Sequence, residues 1–363
     1  MGLSCRIAAL GLLCLAVTGC DRLWAPFYTG MLPDLSTDAG VCTPDGGTGA
    51  VAPTLLNGWE QVASSPCIRW NGITTTSSGA LWMVGSNGAI GFIGSDQASR
   101  ASPVPVVTMI QGLDGKDEFI AVASASILAP GSQANAAVAI SRKSVVLLDY
   151  VGTPTAKLAT GISPSGNFTS LWIANDRSGY IASNDNHNYL RVDIDKWQED
   201  SIPIASAKNI IDISGTADAI TLIAVDVDGT FFARVDNSWS VRRVDGTDLN
   251  IPNVTAISAR DANTIFYGTK SNEFGTITAT KNPITSSAND AQKIDIWAVS
   301  NTDVWVSGTG GSIQHFTPPS GLIPVPIASN YTASMRGICT SGLASSYYVW
   351  AVSEDGRVFR RSN

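Results

Sequence analysis

The amino-acid sequence predicts an all-β fold, a seven-bladed β-propeller of four-stranded blades whose ring is closed by an N-terminal strand. Three observations predict it. An apolar strand, a tight polar turn and an alternating strand recur as one phrase seven times along the chain. The residues between these phrases show period-two alternation or short β-branched and aromatic runs, with no convincing amphipathic helix. A Trp-bearing segment of the kind that ends a repeat stands before the first repeat has begun.

Residues 1–19 read as a signal peptide. Arg6 is followed by the apolar run Ile7 to Val17, too short to span a bilayer, which takes about 20 apolar residues. The stretch "VTGC" that follows resembles a bacterial lipobox, in which a peptidase cuts before the Cys. That resemblance implies that Cys20 is the mature N-terminus, carrying lipid on its sulfur and amine, and that the chain is held on a membrane. The bland alternative is an ordinary secretory signal with a chance Cys. Asp21 resembles an inner-membrane retention signal of enteric bacteria, and the choice between inner and outer membrane stays open. Residues 20–53, rich in Gly, Pro, Thr, Asp and Ala, lack either period and read as a flexible tether.

Residues 54–363 carry the propeller. The phrases are "LWMVGSNGAIGFIG" (81–94), "VAISRKSVVLLDY" (138–150), "YIASNDNHNYLRVD" (180–193), "LIAVDVDGTFFARVD" (222–236), "IFYGTKSNEFGTITA" (265–279), "VWVSGTGGSIQHF" (304–316) and "VWAVSEDGRVFRR" (349–361). With turn centres at Gly88, Ser144, Asn186, Gly229, about Gly275, Gly311 and Gly356, the intervals are 56, 42, 43, 46, 36 and 45 residues. A period in the low to mid forties is that of a four-stranded blade. Before the hairpins lie apolar segments such as "NIIDISGTAD" and "KIDIWAVSNTD", read as innermost strands ending in Asp and Asn corners. Trp197 and Trp239 mark fourth strands. The seventh repeat has its turn at Gly356 and no fourth strand after it, so "NGWEQVASS" (57–65), with Trp59, is expected to supply that strand.

These repeats resemble the W-x-V-G-type propeller repeats of bacterial exported proteins. "LWMVGSNGAI" matches best, and the second blade, with "APGSQANAAV" as a long corner, matches poorly. The resemblance implies the fold and says little of function, because such propellers include scaffolds, binders and enzymes.

Composition narrows the partners. A net charge of −7 with 15% charged residues argues against nucleic acid, which requires a basic face. No cofactor or metal is expected, since no Cys or His spacing suits zinc. Asp226, Asp228 and Gly229 share one turn, and Asp193 and Asp195 lie in "VDIDKW". Asp-Gly there reads as a type I′ hairpin turn rather than a calcium loop. His187 in a turn and His315 on a strand are the only two His, and neither has a sequence partner at ligand spacing. "SEDGRVF" (353–359) is a distant partial match to the turn of sialidase-type propellers. Trp82, Trp305 and Trp350 fall at one repeated position and read as packing between blades, whereas Trp24 and Trp70 are freer.

Three Cys remain after the signal and lipid site: Cys42, Cys67 and Cys339. Cys339 is placed late in the last inner strand and Cys67 at the start of the first, toward opposite faces. A Cys42–Cys67 bridge is therefore expected, with all three free or otherwise paired as the alternative. The function expected is a non-catalytic, lipid-anchored protein-interaction scaffold at the bacterial cell envelope, with an envelope protein as partner. The alternative is a glycan-active enzyme or carbohydrate-binding module at the mouth of the central channel. Converging Arg, Tyr and acidic side chains there would favour the enzyme, and small apolar ones the scaffold.

Overall fold

A computed structural model describes residues 54–363, apart from 99–107, 110–117, 125–135, 163–164, 176–177, 194–195, 204–207, 217–220, 262, 279–284, 287–290 and 344–345. The chain divides into residues 1–46 and 47–363, and every described residue belongs to the second unit.

That unit is a seven-bladed β-propeller of antiparallel sheets. Counting strands outward from the axis, blade 1 is Trp70–Thr75, Leu81–Gly85, Ile90–Ile93 and Thr108–Met109. Blade 2 is Phe119–Ser124, Ala137–Ser141, Val145–Val151 and Thr153–Leu158. Blade 3 is Phe168–Asn175, Ser178–Ser183, Tyr189–Asp193 and Lys196–Glu199. Blade 4 is Ile210–Gly215, Thr221–Asp226, Phe231–Val235 and Ser238–Val241. Blade 5 is Val254–Asp261, Thr264–Thr269, Glu273–Ile277 and Thr285–Ser286. Blade 6 is Lys293–Ser300, Asp303–Gly308, Ile313–Thr317 and Gly321–Pro324.

Blade 7 closes the ring. Its first three strands, Met335–Leu343, Ser346–Ser353 and Arg357–Ser362, come from the far end of the sequence, and its fourth, Trp59–Ser64, comes from the near end. Glu60 pairs directly with Arg360 across that join. The Arg360 guanidinium is buried, donates to Glu60 Oε2 from Nε at 3.1 Å and Nη2 at 2.5 Å, and lies over the rings of Tyr348 and Trp350. Trp59 is also buried and donates its indole N–H to the Val325 carbonyl of blade 6 at 3.2 Å. A fifth strand, Thr54–Leu56, pairs outside Trp59–Ser64, so this blade exceeds the predicted four.

The core lies in layers between neighbouring blades. Trp82, Trp305 and Trp350 are buried as the repeat predicts. Trp70 is buried too, against the expectation that it is freer, because it opens an innermost strand and is enclosed by blade 7. The fifth turn centres on Asn272, with φ at 71°, and not on Gly275, which lies within a strand beneath Tyr267. Moving that marker makes the flanking intervals 43 and 39 residues in place of 46 and 36.

Candidate functional site

The upper face is the one on which every innermost strand begins. The residue just before that strand is Arg69, Glu118, Asn167, Asn209, Asn253, Gln292 or Ser334 in blades 1 to 7. In six of the blades its backbone carbonyl accepts an N–H from the turn after the second strand. The donors are Ser86 to Arg69, Asn184 to Asn167, Val227 to Asn209, Lys270 to Asn253, Thr309 to Gln292 and Glu354 to Ser334, at 2.8–3.0 Å. These clamps hold the loops of the face at fixed places around the axis. Ion pairs lie on the face at blades 7, 1 and 2. Arg69 bonds Glu118, and Arg336 Nη2 meets Glu354 Oε2 at 2.8 Å. Burial alone would raise the Glu354 pKa, but bonds from Ser334 and the charge of Arg336 outweigh it and hold the carboxyl below its usual range. A cavity of about 340 Å³ opens at the seam of blades 6 and 7, walled by the 309–313 turn and by residues 326–331. On its edge, Tyr331 donates to Asp355 Oδ1 at 2.8 Å.

Below this face, polar side chains lace one innermost strand to the next. Every innermost strand has a register shift between its first and third residues. The third residue is Gly72, Ala121, Ser170, Asp212, Ala256, Asp295 or Gly337, and it faces the N–H of the fourth residue in the next blade. Asp212 Oδ2 accepts from Ile257 N–H at 2.7 Å, and Asp295 Oδ2 from Ile338 N–H at 2.9 Å. Ser170 donates to Asp212 Oδ1 at 2.6 Å. A Cβ on Gly337 would lie 3.0 Å from Ile73 N, so the same geometry crowds this position at the join with blade 1. Further laces run from Asn71 to the Phe119 carbonyl at 2.7 Å and from Thr255 to the Lys293 carbonyl at 2.7 Å. Deeper still, Trp297 donates to Thr340 Oγ1 at 3.0 Å, and Ser214 accepts from Ala259 N–H at 2.8 Å. Burial pushes the Asp212 and Asp295 carboxyls up to about 6 despite the bonds they accept, and Asp295 adds its repulsion to Asp212.

On the lower face His315 stacks on Trp305 at 4.0 Å, and its Nε2 lies 2.7 Å from Asp303 Oδ1. Tyr347 of blade 7 donates to Asp303 Oδ2 at 2.5 Å and accepts the Trp305 indole N–H at 3.1 Å. The group therefore sews blade 6 to blade 7. His187, exposed in its turn, pairs with Glu199 at 2.7 Å. Both His thus have an acidic partner that the sequence did not reveal. Each pair lies 12 residues apart, a separation set by hairpin pairing rather than by a ligand motif.

Asp226 ends the second strand of blade 4 and caps its turn, accepting from Asp228 N–H at 3.0 Å and Thr230 N–H at 2.9 Å. Gly229 has φ at 84° while Asp228 keeps a negative φ, so the turn is a three-residue loop with a left-handed Gly and not type I′. Asn87–Gly88 and Gly310–Gly311 do have the two positive φ values of type I′. Asp193 pairs with Lys196, while Asp195 and the 125–135 corner lie outside the described residues. Cys67 is disulfide-bonded, and Cys339 is free and buried at the middle of its strand, not late in it. Cys20, Trp24 and Cys42 lie outside the described residues. Sequence reasoning missed the laces, although "NGI", "IAV", "TSL", "IDI", "TAI", "IDI" and "RGI" repeat a small or acidic residue before a branched one in every blade.

No family model and no curated protein sequence matches the chain. Solved structures do. Virginiamycin B lyase from Staphylococcus aureus superposes with a TM-score of 0.63 at 14% identity, covering 80% of this chain and 94% of that one. YCF48 from Cyanidioschyzon merolae gives 0.60 at 15% identity, covering 84% and 98%. A structure of YCF48 bound to D1 peptide gives 0.62 at 11% identity, covering 85% and 99%. At such identities the likeness concerns backbone architecture, and on it the chain is a seven-bladed β-propeller.

Proposed function

We propose that the protein is an exported bacterial lipoprotein, anchored through lipid on Cys20, whose propeller is a protein-interaction module at the cell envelope. The observation that carries this reading is the upper face. Six of its seven loops are clamped to the ring, and Arg69 and Arg336 are matched to carboxylates, which makes a rigid recognition surface. Among the similar structures, YCF48 holds a D1 peptide, which supports a protein partner for a disc of this kind. Lipid on Cys20 would confine the disc to the membrane plane and raise its effective concentration toward envelope partners. Cys42 is proposed as the partner of Cys67, tying the tether to the ring; a non-reduced peptide map locates that bond.

Two measurements test the reading. Labelled fatty acid should enter the wild type and not Cys20→Ser. Crosslinking on native envelopes followed by mass spectrometry should return one stoichiometric protein partner; recovery of the propeller alone with several crosslinker lengths defeats the reading.

The second reading, a glycan-active enzyme, is favoured by one observation, the Asp303–His315 pair beside Tyr347. Release of soluble fragments from purified cell-wall glycan by the wild type, lost in His315→Ala, would establish it.

A further inference from the structure

The upper rim has two unlike arcs. On blades 7, 1 and 2 it carries the Arg336–Glu354 and Arg69–Glu118 pairs. On blades 3 to 6 the residue before the innermost strand is a carboxamide each time: Asn167, Asn209, Asn253 and Gln292. Their backbones are fixed by the carbonyl clamps, yet their side-chain amides bond no other described residue. None is buried; Asn253 is exposed and the other three are half-exposed. At one join this position meets its counterpart in the next blade directly, Arg69 of blade 1 reaching Glu118 of blade 2. The first residue of each innermost strand packs the other way, as Trp70 does against blade 7.

Four consecutive carboxamides thus offer a row of N–H donors and C=O acceptors, beside which the Lys208 charge of blade 4 is matched by Asp228. At its blade 6 end the row meets the cavity walled by Gly310–Gly311 and Tyr331. A carboxamide is the side-chain copy of a peptide group and bonds one in both senses, donor to carbonyl and acceptor to N–H. Sugar hydroxyls would also bond it, but sugar sites add an aromatic platform. Trp59, Trp70, Trp82, Trp305 and Trp350 are buried, Trp172 and Trp297 lie at the fifth residue of their innermost strands and Trp197 and Trp239 on fourth strands, and Tyr331 is engaged by Asp355 and Arg357.

We infer that the carboxamide arc binds an extended polypeptide segment by its main chain, with one side chain of that segment in the blade 6–7 cavity. This rests on the interaction-module reading and assigns it a face. The geometry gives main-chain affinity with modest sequence preference, the preference coming from the cavity.

The test is a phage-displayed random decapeptide library panned on the full chain. Selected peptides are then titrated against an Asn167→Ala, Asn209→Ala, Gln292→Ala triple variant, and against Ser329→Trp, which fills the cavity. Asn253 is kept because its φ of 62° suits Asn. Since these side chains bond no other described residue, the triple variant should melt as the wild type does. The expected result is a loss of at least tenfold in peptide affinity in the triple variant. Ser329→Trp should change which peptides are selected while leaving some binding. Peptides that bind wild type and triple variant alike, or no enrichment at all, overturn the inference. Arc-dependent binding of chitin oligosaccharides with no peptide enrichment overturns the peptide class. A crosslinked envelope partner retained by the triple variant would leave the interaction module standing and remove this face from it.

Discussion

Asp212 and Asp295 are the residues with the most to lose from a change of pH. Each carboxyl is raised from 3.8 to about 6 by burial, so between those values the folded protein holds protons that the unfolded chain releases. Stability then falls as pH rises from about 4 to 7, and each group contributes up to about 3 kcal/mol to that fall. Asp185, Asp261 and Glu354, held low, act in the opposite sense and only at more acidic pH. Asp226, also raised by burial, acts in the same sense as Asp212 and Asp295. Asp212→Asn should therefore flatten the slope of urea-unfolding stability between pH 4.5 and 7; an unchanged slope would show that Asp212 does not titrate in that window. Arg360 makes the complementary case. Glu60→Ala leaves a buried guanidinium without its carboxylate and should cost about 3–5 kcal/mol in chemical denaturation. The double change Glu60→Met with Arg360→Met should recover most of this. Neither the Asp pair nor this clasp was legible in the sequence, because "IDI" and "FRR" are ordinary strand text until pairing brings Ile257, Ile338 and Glu60 beside them.

The turns decide what each blade's second strand ends with. Where the strand ends in Gly85 or Gly308, a carbonyl from the preceding loop crowds it at 2.4–2.5 Å from where a Cβ would lie, and the turn is type I′. Where it ends in Ser141, Asp226, Thr269 or Ser353, that side chain accepts an N–H from the turn, in place of the backbone alone. Two glycines separate torsion from crowding. Gly152, with φ at 80° and open space around it, should lose about 1 kcal/mol as Ala, the ordinary cost of a left-handed residue. Gly311 has φ at 73° and the Tyr331 carbonyl oxygen 2.2 Å from where its Cβ would lie, so it should lose clearly more. Equal melting temperatures for Gly152→Ala and Gly311→Ala would refute that distinction. Turn residues were readable because Gly and Asn have few other reasons to recur at one phase. Their turn types were not, since "DG" serves both the type I′ loop and the three-residue loop of blade 4.

At the scale of the molecule, the seven-fold count and the closing strand were legible from periodicity and from one displaced Trp. The upper-face arc was not, because Asn and Gln before a strand read as turn formers until the clamps show them repeating around an axis. The seams are also unequal. The joins of blades 2 with 3 and 7 with 1 have Ala121, Ala123, Gly337 and Cys339 where others have laces. Deleting residues 54–64 would strip the Arg357–Ser362 edge and the partner of Arg360, and the protein should then elute as oligomers in size-exclusion chromatography. A monomeric product with unchanged melting would mean that the ring does not depend on its closing strand.

The Glu60–Arg360 contact spans 300 residues of sequence, which turns closure into a matter of timing. At about 5–20 residues per second, a ribosome reaches the partner strand some 15–60 s after it has passed Trp59. For that interval Trp59–Ser64 has, among the described strands made before it, only Thr54–Leu56 to pair with, and its other edge waits open. A cell that makes this protein must keep that strand from pairing elsewhere until the far end of the chain arrives.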